Sequence, residues 1–153
     1  MVIKTSQAPS ALDAVPEPLP PRNGAIAESG ENYLETILVL KERRDGGLVR
    51  AVDIANELRL SKASVSRGLG LLREKGLIHI ADNGDLEFTP SGQNLAQNIF
   101  HTHQVLTVFF QETAKVPLDV AERDACRIEH VISSETLKGI IRFLRDLRPL
   151  RWP

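Results

Sequence analysis

The sequence predicts a mainly helical fold in which three helices and a β-hairpin are followed by three further helices. Three observations support this prediction. Apolar residues recur at helical spacing along most of the chain. Residues 82–85, Asp-Asn-Gly-Asp, separate two short apolar runs, as in a hairpin turn. Glycine or proline marks several of the expected helix ends. A chain of 153 residues can hold one compact domain, or two small ones that share a helix.

The composition indicates a protein of the cytoplasm. The chain is 42% hydrophobic but only 5% aromatic, so it can fill a modest core that is mostly aliphatic. Its single cysteine, Cys126, cannot form a disulfide within the chain, which favours a reducing compartment. No apolar run approaches the ~18 residues needed to span a bilayer, and the first residues do not resemble a secretion signal. We therefore expect a cytoplasmic protein with no membrane partner.

The two ends of the chain are expected to lack regular structure. Residues 1–27 contain five of the nine prolines and little apolar material, so they are predicted to form a disordered arm. Residues 148–153 are predicted to fray. The helices and the hairpin therefore lie between residues 28 and 147.

The first three helices are predicted at about 28–44, 51–58 and 62–75. Ser61 can cap the third helix, because its hydroxyl can accept a hydrogen bond from a free N–H of the first turn. Gly76 is suited to end that helix in the left-handed conformation. The spacing between the second and third helices leaves room only for a tight turn, which is typical of a helix-turn-helix.

A β-hairpin is predicted directly after these helices. An apolar strand at 77–80 and its partner at 86–88 flank the turn at 82–85, where Asn-Gly supplies the positive φ angles that such turns need. Three helices followed by a hairpin form the plan of a winged helix-turn-helix, which we place at residues 28–90.

Three more helices are predicted in the second half. Thr89 caps the first of them, which begins at Pro90 and extends to about residue 115. The others are expected at about 119–132 and 135–147, with a break at the proline that precedes residue 118.

The third helix is the candidate for reading DNA. Residues 41–75 carry nine basic and five acidic residues, a local charge of +4 on a chain whose overall charge is −1. Arg67 can form a bidentate pair with guanine, and the serines can bind phosphates or base edges. The wing turn is acidic, so we expect it to bind phosphates weakly. Gly68 and Gly70 have no explanation in the sequence. The candidate DNA-binding residues are Lys62, Ser64, Ser66, Arg67 and Arg73.

The helix predicted at 119–132 is the candidate for binding a metal ion. Glu122, Cys126, Glu129 and His130 have the spacing i, i+4, i+7 and i+8, which places them along one helix face. Carboxylate, imidazole and sulfur ligands together suit a first-row divalent metal. Two other interpretations remain open: Cys126 as a small core residue, and the Glu-His pair as solvated surface. We choose His103 and Glu35 as further ligands.

Four segments carry a resemblance to one family. The matching segments are residues 31–35 (Glu-Asn-Tyr-Leu-Glu), 64–66 together with 74–78, 86–92 (Leu-Glu-Phe-Thr-Pro-Ser-Gly) and 125–133 (Ala-Cys-Arg-Ile-Glu-His-Val-Ile-Ser). They are similar to motifs of the diphtheria toxin repressor and manganese transport regulator family. The members of this family are bacterial metal-dependent repressors. The resemblance covers about residues 30–140. We expect the short form of the family, without the carboxy-terminal SH3-like domain of the longer iron repressors.

The resemblance implies a homodimer that binds a palindromic operator in double-stranded DNA. It makes residues 91–147 a linker helix with a helical metal-binding and dimerisation domain. The ligands it implies are Glu35, His103, Cys126, Glu129 and His130. Asn32 is a further candidate ligand, although it departs from the family, which has Asp there in manganese regulators and Met in iron repressors. Cys126 matches the iron type. Glu122 stands where the iron type has a His, and Thr107 where it has a Glu, which puts a second metal site in doubt.

The sequence therefore predicts a DNA-binding regulator, a repressor of metal-uptake genes that responds to Mn²⁺ or Fe²⁺. The alternative is a winged-helix repressor that responds to a small organic ligand or to redox state without a metal. An enzyme with Cys126 as nucleophile is not expected, because no glycine-rich loop or oxyanion donor accompanies that residue.

Overall fold

A computed structural model describes residues 26–147. The predicted frayed tail and almost all of the predicted arm lie outside the described residues. The described part contains six helices and one two-stranded sheet, so the mainly helical prediction is confirmed. The elements are α1 (Glu28–Arg43), α2 (Ala51–Leu58), α3 (Lys62–Glu74), β1 (Ile78–Ile80), β2 (Leu86–Phe88), α4 (Pro90–Thr113), α5 (Leu118–Ile128) and α6 (Ser134–Leu147).

The chain divides into two compact units between Ile99 and Phe100, within the long helix α4. The N-terminal unit contains α1 to β2 and the first part of α4. The C-terminal unit contains the rest of α4 together with α5 and α6. Each unit is described separately below.

The core of the N-terminal unit is aliphatic, as the composition predicts. The apolar faces of α1, α2 and α3 meet in this core, because each helix repeats its apolar residues every three or four positions. The core side chains that are no more than 1% exposed include Leu34, Ile37, Ile54, Val65, Leu69 and Leu72. This arrangement leaves the opposite face of α3 at the surface.

The turn between α2 and α3 is closed by local hydrogen bonds. Arg59 ends α2 in the left-handed conformation, with φ of 53°. Ser61 then caps α3, because its Oγ accepts a hydrogen bond of 3.1 Å from the N–H of Ser64. At the other end of α3, Gly76 has φ of 67° and stops the helix. Both predicted roles, of Ser61 and of Gly76, are confirmed.

The hairpin forms the wing of a winged helix-turn-helix. Strands β1 and β2 are antiparallel, with Ile78 opposite Phe88 and Ile80 opposite Leu86. The N–H of Leu86 also donates to the carbonyl of Val49 at 2.8 Å, so the segment before α2 contacts the sheet.

The turn of this hairpin contains the positive φ angle that Asn-Gly predicts. Gly84 has φ of 84°, and its N–H donates to the carbonyl of Ala81 at 2.8 Å. The turn is therefore compact and hydrogen-bonded.

Helix α4 begins with the predicted cap. The Thr89 Oγ1 accepts a hydrogen bond of 3.1 Å from the Gly92 N–H and donates one of 2.7 Å to the Gly76 carbonyl. Thr89 thereby joins the start of α4 to the end of α3.

The C-terminal unit has its own apolar cluster. Val105 of α4 packs with Leu137, Ile141 and Leu144 of α6, all of them buried. Ser133 precedes α6 and accepts a hydrogen bond of 3.2 Å from the Thr136 N–H, which caps the helix. Within residues 26–147, no helix is both long enough and apolar enough to cross a membrane.

Candidate metal centre and nucleic-acid interface

The exposed face of α3 carries the polar residues that the sequence selects for DNA. Four of them are exposed: Lys62, Ser66, Arg67 and Arg73. The fifth, Ser64, is partly buried, and its Oγ accepts a 2.9 Å hydrogen bond from the Ser61 hydroxyl. The helix thus presents cations and hydroxyl groups on the side away from its core, the arrangement that major-groove contacts require.

Gly68 of α3 faces the ring of Tyr33 from α1. A Cβ at residue 68 would lie 1.9 Å from Tyr33 Cε2, far closer than any real contact. Tyr33 itself is only 5% exposed. Gly68 is therefore needed for close packing of α1 on α3, which explains one of the two glycines. A Cβ at Gly70 would meet nothing within 4 Å, and no contact explains that glycine.

Asp85 fastens the wing to α1. Its carboxylate accepts hydrogen bonds from Lys41 Nζ at 3.0 and 3.2 Å and from the Val49 N–H at 2.9 Å. Burial alone raises the pKa of Asp85, but the Val49 and Lys41 hydrogen bonds outweigh that effect and hold the pKa below its ordinary value. The carboxylate thus supports the wing and is turned away from its tip.

A second charged group surrounds the start of α2. Asp53 Oδ1 accepts from Arg44 at 2.9 Å, and its Oδ2 accepts from the Arg50 backbone N–H at 2.7 Å. The Arg44 hydrogen bond, followed by that of Arg50, lowers the pKa of Asp53. The positive charge of Arg50 also lowers the pKa of Asp53, and the Arg50 Nε donates to the Asn83 carbonyl of the wing turn at 3.0 Å. No pattern in the sequence indicates this contact.

In the C-terminal unit, Glu129 lies between two imidazoles. His103 Nδ1 is 2.8 Å from Glu129 Oε2, and His130 Nε2 is 3.3 Å from Glu129 Oε1. The Glu129 side chain is fully buried, and those of His103 and His130 are 8% and 2% exposed. Three residues that the sequence selects as ligands are therefore brought together.

The position of Glu129 corrects one prediction. Helix α5 was expected to continue to Ile132, but it ends at Ile128, and Glu129 and His130 lie in the turn that follows. The Val131 and Ile132 N–H groups both donate to the Ile128 carbonyl, at 2.9 and 3.0 Å. Glu129 itself still has αR backbone angles, and its N–H donates to the Ala125 carbonyl at 2.9 Å, so it continues the helical geometry of Glu122 and Cys126. His130 lies in the turn beyond it.

Two other candidates, and the neighbouring Thr107, have different surroundings. Glu122 is buried, and this burial raises its pKa, an effect that His103 partly opposes. Cys126 is a free thiol and is partly buried. Thr107, where the iron repressors have a Glu, is buried and donates to the His103 carbonyl at 2.9 Å. Thr107 thereby holds the backbone of a candidate ligand.

The remaining candidates, Asn32 and Glu35, belong to α1 in the N-terminal unit. Glu35 is 4% exposed, and Asn32 is partly buried, with its carbonyl accepting from Thr36 Oγ1 at 2.7 Å. Their grouping with the residues of the C-terminal unit stays a prediction.

The chemistry of the buried group fits a divalent metal ion. His103 Nδ1 lies at hydrogen-bonding distance from one Glu129 oxygen, and His130 Nε2 approaches the other. Neutral imidazole nitrogen and carboxylate oxygen are usual ligands of a divalent transition metal. Calcium and magnesium prefer oxygen ligands alone, so this set favours a transition metal.

Two family models match adjoining parts of the chain. The family model of the N-terminal DNA-binding domain of iron-dependent repressors matches residues 25–86. The model of the metal-binding and dimerisation domain of the same repressors matches residues 89–149.

Each relative is matched over only part of its own length. The diphtheria toxin repressor of Corynebacterium glutamicum is 29% identical over 122 residues, which cover 80% of this chain and 53% of that protein. The transcriptional regulator MntR of Salmonella typhimurium is 34% identical over 100 residues, which cover 65% of this chain and 63% of MntR. The chain thus spans about half the length of the first of these relatives.

A solved structure shows the same fold. The manganese regulator SloR matches with a TM-score of 0.67 at 24% identity, over 76% of this chain and 53% of SloR. The two adjoining domain matches, the relatives and this fold lead to one conclusion: the chain belongs to the family of iron-dependent repressors that includes diphtheria toxin repressor and MntR.

Proposed function

We propose that the protein is a metal-dependent, DNA-binding transcriptional regulator that represses metal-uptake genes. The observation that carries this proposal is the buried Glu129 carboxylate, which faces His103 with one oxygen and His130 with the other. The relatives support it, since one is named a repressor and another a manganese regulator. We place the protein in the cytoplasm, where its DNA target is found, and expect no enzymatic activity.

For DNA, we propose a homodimer that binds a palindromic operator. A two-fold dimer presents two α3 helices, which match two half-sites about one helical turn apart. We assign residues 28–90 to DNA binding and 91–147 to metal binding and dimerisation. The proposed DNA contacts are Lys62, Ser64, Ser66, Arg67 and Arg73, which lie on or beside the exposed face of α3.

For the metal, we propose Mn²⁺ or Fe²⁺. His103, Glu129 and His130 form the centre of the site. A bound divalent cation supplies positive charge that balances the buried carboxylate. The sulfur of Cys126 is a softer ligand and favours iron over manganese. The further ligands that we propose are Glu35, from the family resemblance, and Asn32 and Glu122, which stand at ligand positions of the family but differ from its residues.

The coupling of metal to DNA has an energetic requirement. A change from 1% to 99% of the DNA-competent form needs about 5.5 kcal/mol of preference for the metal-bound state. Glu35 supplies such a preference if it joins the site only in the competent form, because the same metal then binds with one more ligand. Glu35→Gln should therefore reduce the effect of metal on DNA affinity more than it reduces metal affinity.

The test is an anaerobic calorimetric titration of the metal-free protein with Mn²⁺ and with Fe²⁺. We compare the wild type with Glu129→Gln, which preserves shape and removes the charge, and with Glu135→Gln, which alters an exposed carboxylate of α6. Saturable binding should be lost in the first variant and retained in the second. DNA binding is measured in parallel by fluorescence anisotropy, with a duplex selected from a random pool by the wild type in the presence of metal.

The outcomes separate two functions. Metal binding that survives Glu129→Gln unchanged contradicts the assignment of the site. A wild type that binds DNA but neither ion identifies a winged-helix regulator without a metal, which is the alternative function.

A further inference from the structure

One carboxylate of the wing turn, Asp85, is neutralised by an ion pair, whereas the other, Asp82, is exposed. Asp85 forms an ion pair with Lys41, and Asp53, beside the wing, forms one with Arg44. Their side chains are 17% and 22% exposed, so both carboxylates are largely covered by their partners. Neither of them leaves an unbalanced negative charge at this surface.

Arg50 lies along the wing turn. Its Nε donates to the Asn83 carbonyl at 3.0 Å. Its Cγ and Cδ lie 3.7 Å from the point where a Cβ of residue 84 would stand. This is an ordinary van der Waals distance, so the stem of the arginine passes over the turn without a clash.

The outer part of this arginine remains available. A guanidinium carries five N–H donors in a planar fork, and the contact with Asn83 uses the one on Nε. Within residues 26–147, no acceptor is bonded to the four donors on Nη1 and Nη2, and Arg50 is exposed. The charged end of the side chain is therefore placed by the wing and open to a ligand outside the protein.

The location of Arg50 identifies the class of ligand. It directly precedes α2, the first helix of the helix-turn-helix. In such motifs the first helix crosses the DNA backbone while the second, here α3, enters the major groove. A planar guanidinium binds phosphate oxygens in bidentate fashion. A side chain that is already positioned also loses little conformational entropy on binding.

We propose that the Arg50 guanidinium, held against the wing turn by the Asn83 carbonyl, binds a phosphate of the DNA backbone. Arg50 thereby supplies the cation that the acidic wing turn itself lacks. This inference rests on the proposed DNA-binding function and adds a contact outside α3. Because a phosphate carries no sequence information, the contact contributes equally to all duplexes.

The test uses Arg50→Ala, Arg50→Lys and, as a control, Arg142→Ala, which removes the same charge from an exposed position on α6. Each protein is titrated with two duplexes of equal length and composition: the one selected by the wild type, and a scrambled version. Affinities are measured by anisotropy at several salt concentrations, with saturating Mn²⁺ and without metal. Circular dichroism melting of each variant reports on its stability.

The expected result is a loss of about tenfold in affinity at 0.1 M salt for Arg50→Ala on both duplexes. The slope of log K against log salt should become shallower by about 0.9 for each phosphate that the variant no longer neutralises. Arg50→Lys should restore the slope but only part of the affinity, since lysine keeps the charge and lacks the fork. Arg142→Ala should behave as the wild type.

Three outcomes overturn the inference. The first is an unchanged salt slope in Arg50→Ala. The second is a decrease in affinity confined to the selected duplex, which indicates that Arg50 only supports the wing. The third is a wild type that selects no duplex from the random pool, which overturns the proposed function as well. Metal-independent DNA binding with the expected Arg50 effects contradicts the metal response alone and supports the inference.

Discussion

Replacing Gly68 by alanine tests whether the packing of α1 on α3 depends on a missing side chain. The new Cβ would stand 1.9 Å from Tyr33 Cε2, which is 1.5 Å short of the 3.4 Å at which ordinary contact begins. Tyr33 is only 5% exposed, so its ring has little room to move aside. Overpacking of this kind costs about 1–3 kcal/mol.

Gly70→Ala is the matched control on the same helix. Its Cβ would meet nothing within 4 Å, so only the higher helix propensity of alanine remains. That propensity stabilises the protein by about 0.5–1 kcal/mol in both variants. It cancels when the two are compared, and the difference in the free energy of unfolding between them isolates the steric cost.

The assay is urea denaturation of both variants, supported by thermal melting. We expect Gly70→Ala to be more stable than the wild type and Gly68→Ala to be less stable. The two should differ by about 1–3 kcal/mol, and each kcal/mol corresponds to a shift of about 2–4 °C in Tm for a chain of this size. Adding Tyr33→Leu to Gly68→Ala should recover part of the stability, because a smaller side chain leaves space for the new methyl group. Equal stability of the two alanine variants would refute the reasoning.

Three further predictions concern the cap, the wing and α3. Ser61→Ala should lower the free energy of unfolding by about 0.5–2 kcal/mol in urea denaturation, because it removes the cap of α3; an unchanged midpoint contradicts the role of the cap. Asp85→Asn should destabilise the protein at pH 7, since the pKa of Asp85 is depressed in the folded state and its carboxylate stabilises the fold above the unfolded pKa. This contribution is lost as the pH falls below about 4, so the stability difference between wild type and variant should shrink there, and a pH-independent difference contradicts the assigned cause. Arg67→Ala should weaken binding to the selected duplex by about 1–3 kcal/mol in anisotropy titrations without changing metal affinity, and equal affinity for that duplex contradicts a reading role.

Local chemistry explains why much of the fold could be predicted from the sequence. Asn83-Gly84 requires positive φ and forms the hairpin turn, and Ser61 and Gly76 mark the two ends of α3. Each signal acts within four residues, so a single sequence contains all the information needed. The helix periodicity adds the faces that meet in the core, and together these features determine the order of elements.

The end of α5 could not be predicted by the same means. The apolar spacing of Ile128, Val131 and Ile132 continues the helical pattern, and neither glycine nor proline interrupts it. The helix nevertheless ends at Ile128. The C-cap of α5, Glu129, contacts His103, which is 26 residues away in sequence. A contact over that distance depends on tertiary packing. It therefore cannot be predicted from the spacing of residues within one segment.

The glycines of α3 illustrate the same limit and its consequence for function. From the sequence alone, Gly68 is only a residue of low helix propensity. In the structure, the ring of Tyr33 on α1 packs against it, although all of α2 lies between the two residues along the chain. Tyr33 lies between Asn32 and Glu35 on one turn of α1, so the segment that carries two of the proposed ligands also packs against the middle of α3. Because Arg67 is adjacent to Gly68, this turn of α1 packs beside the part of α3 that we expect to read DNA. A side chain at residue 68 would clash with the Tyr33 ring, so this approach of the two helices requires a glycine.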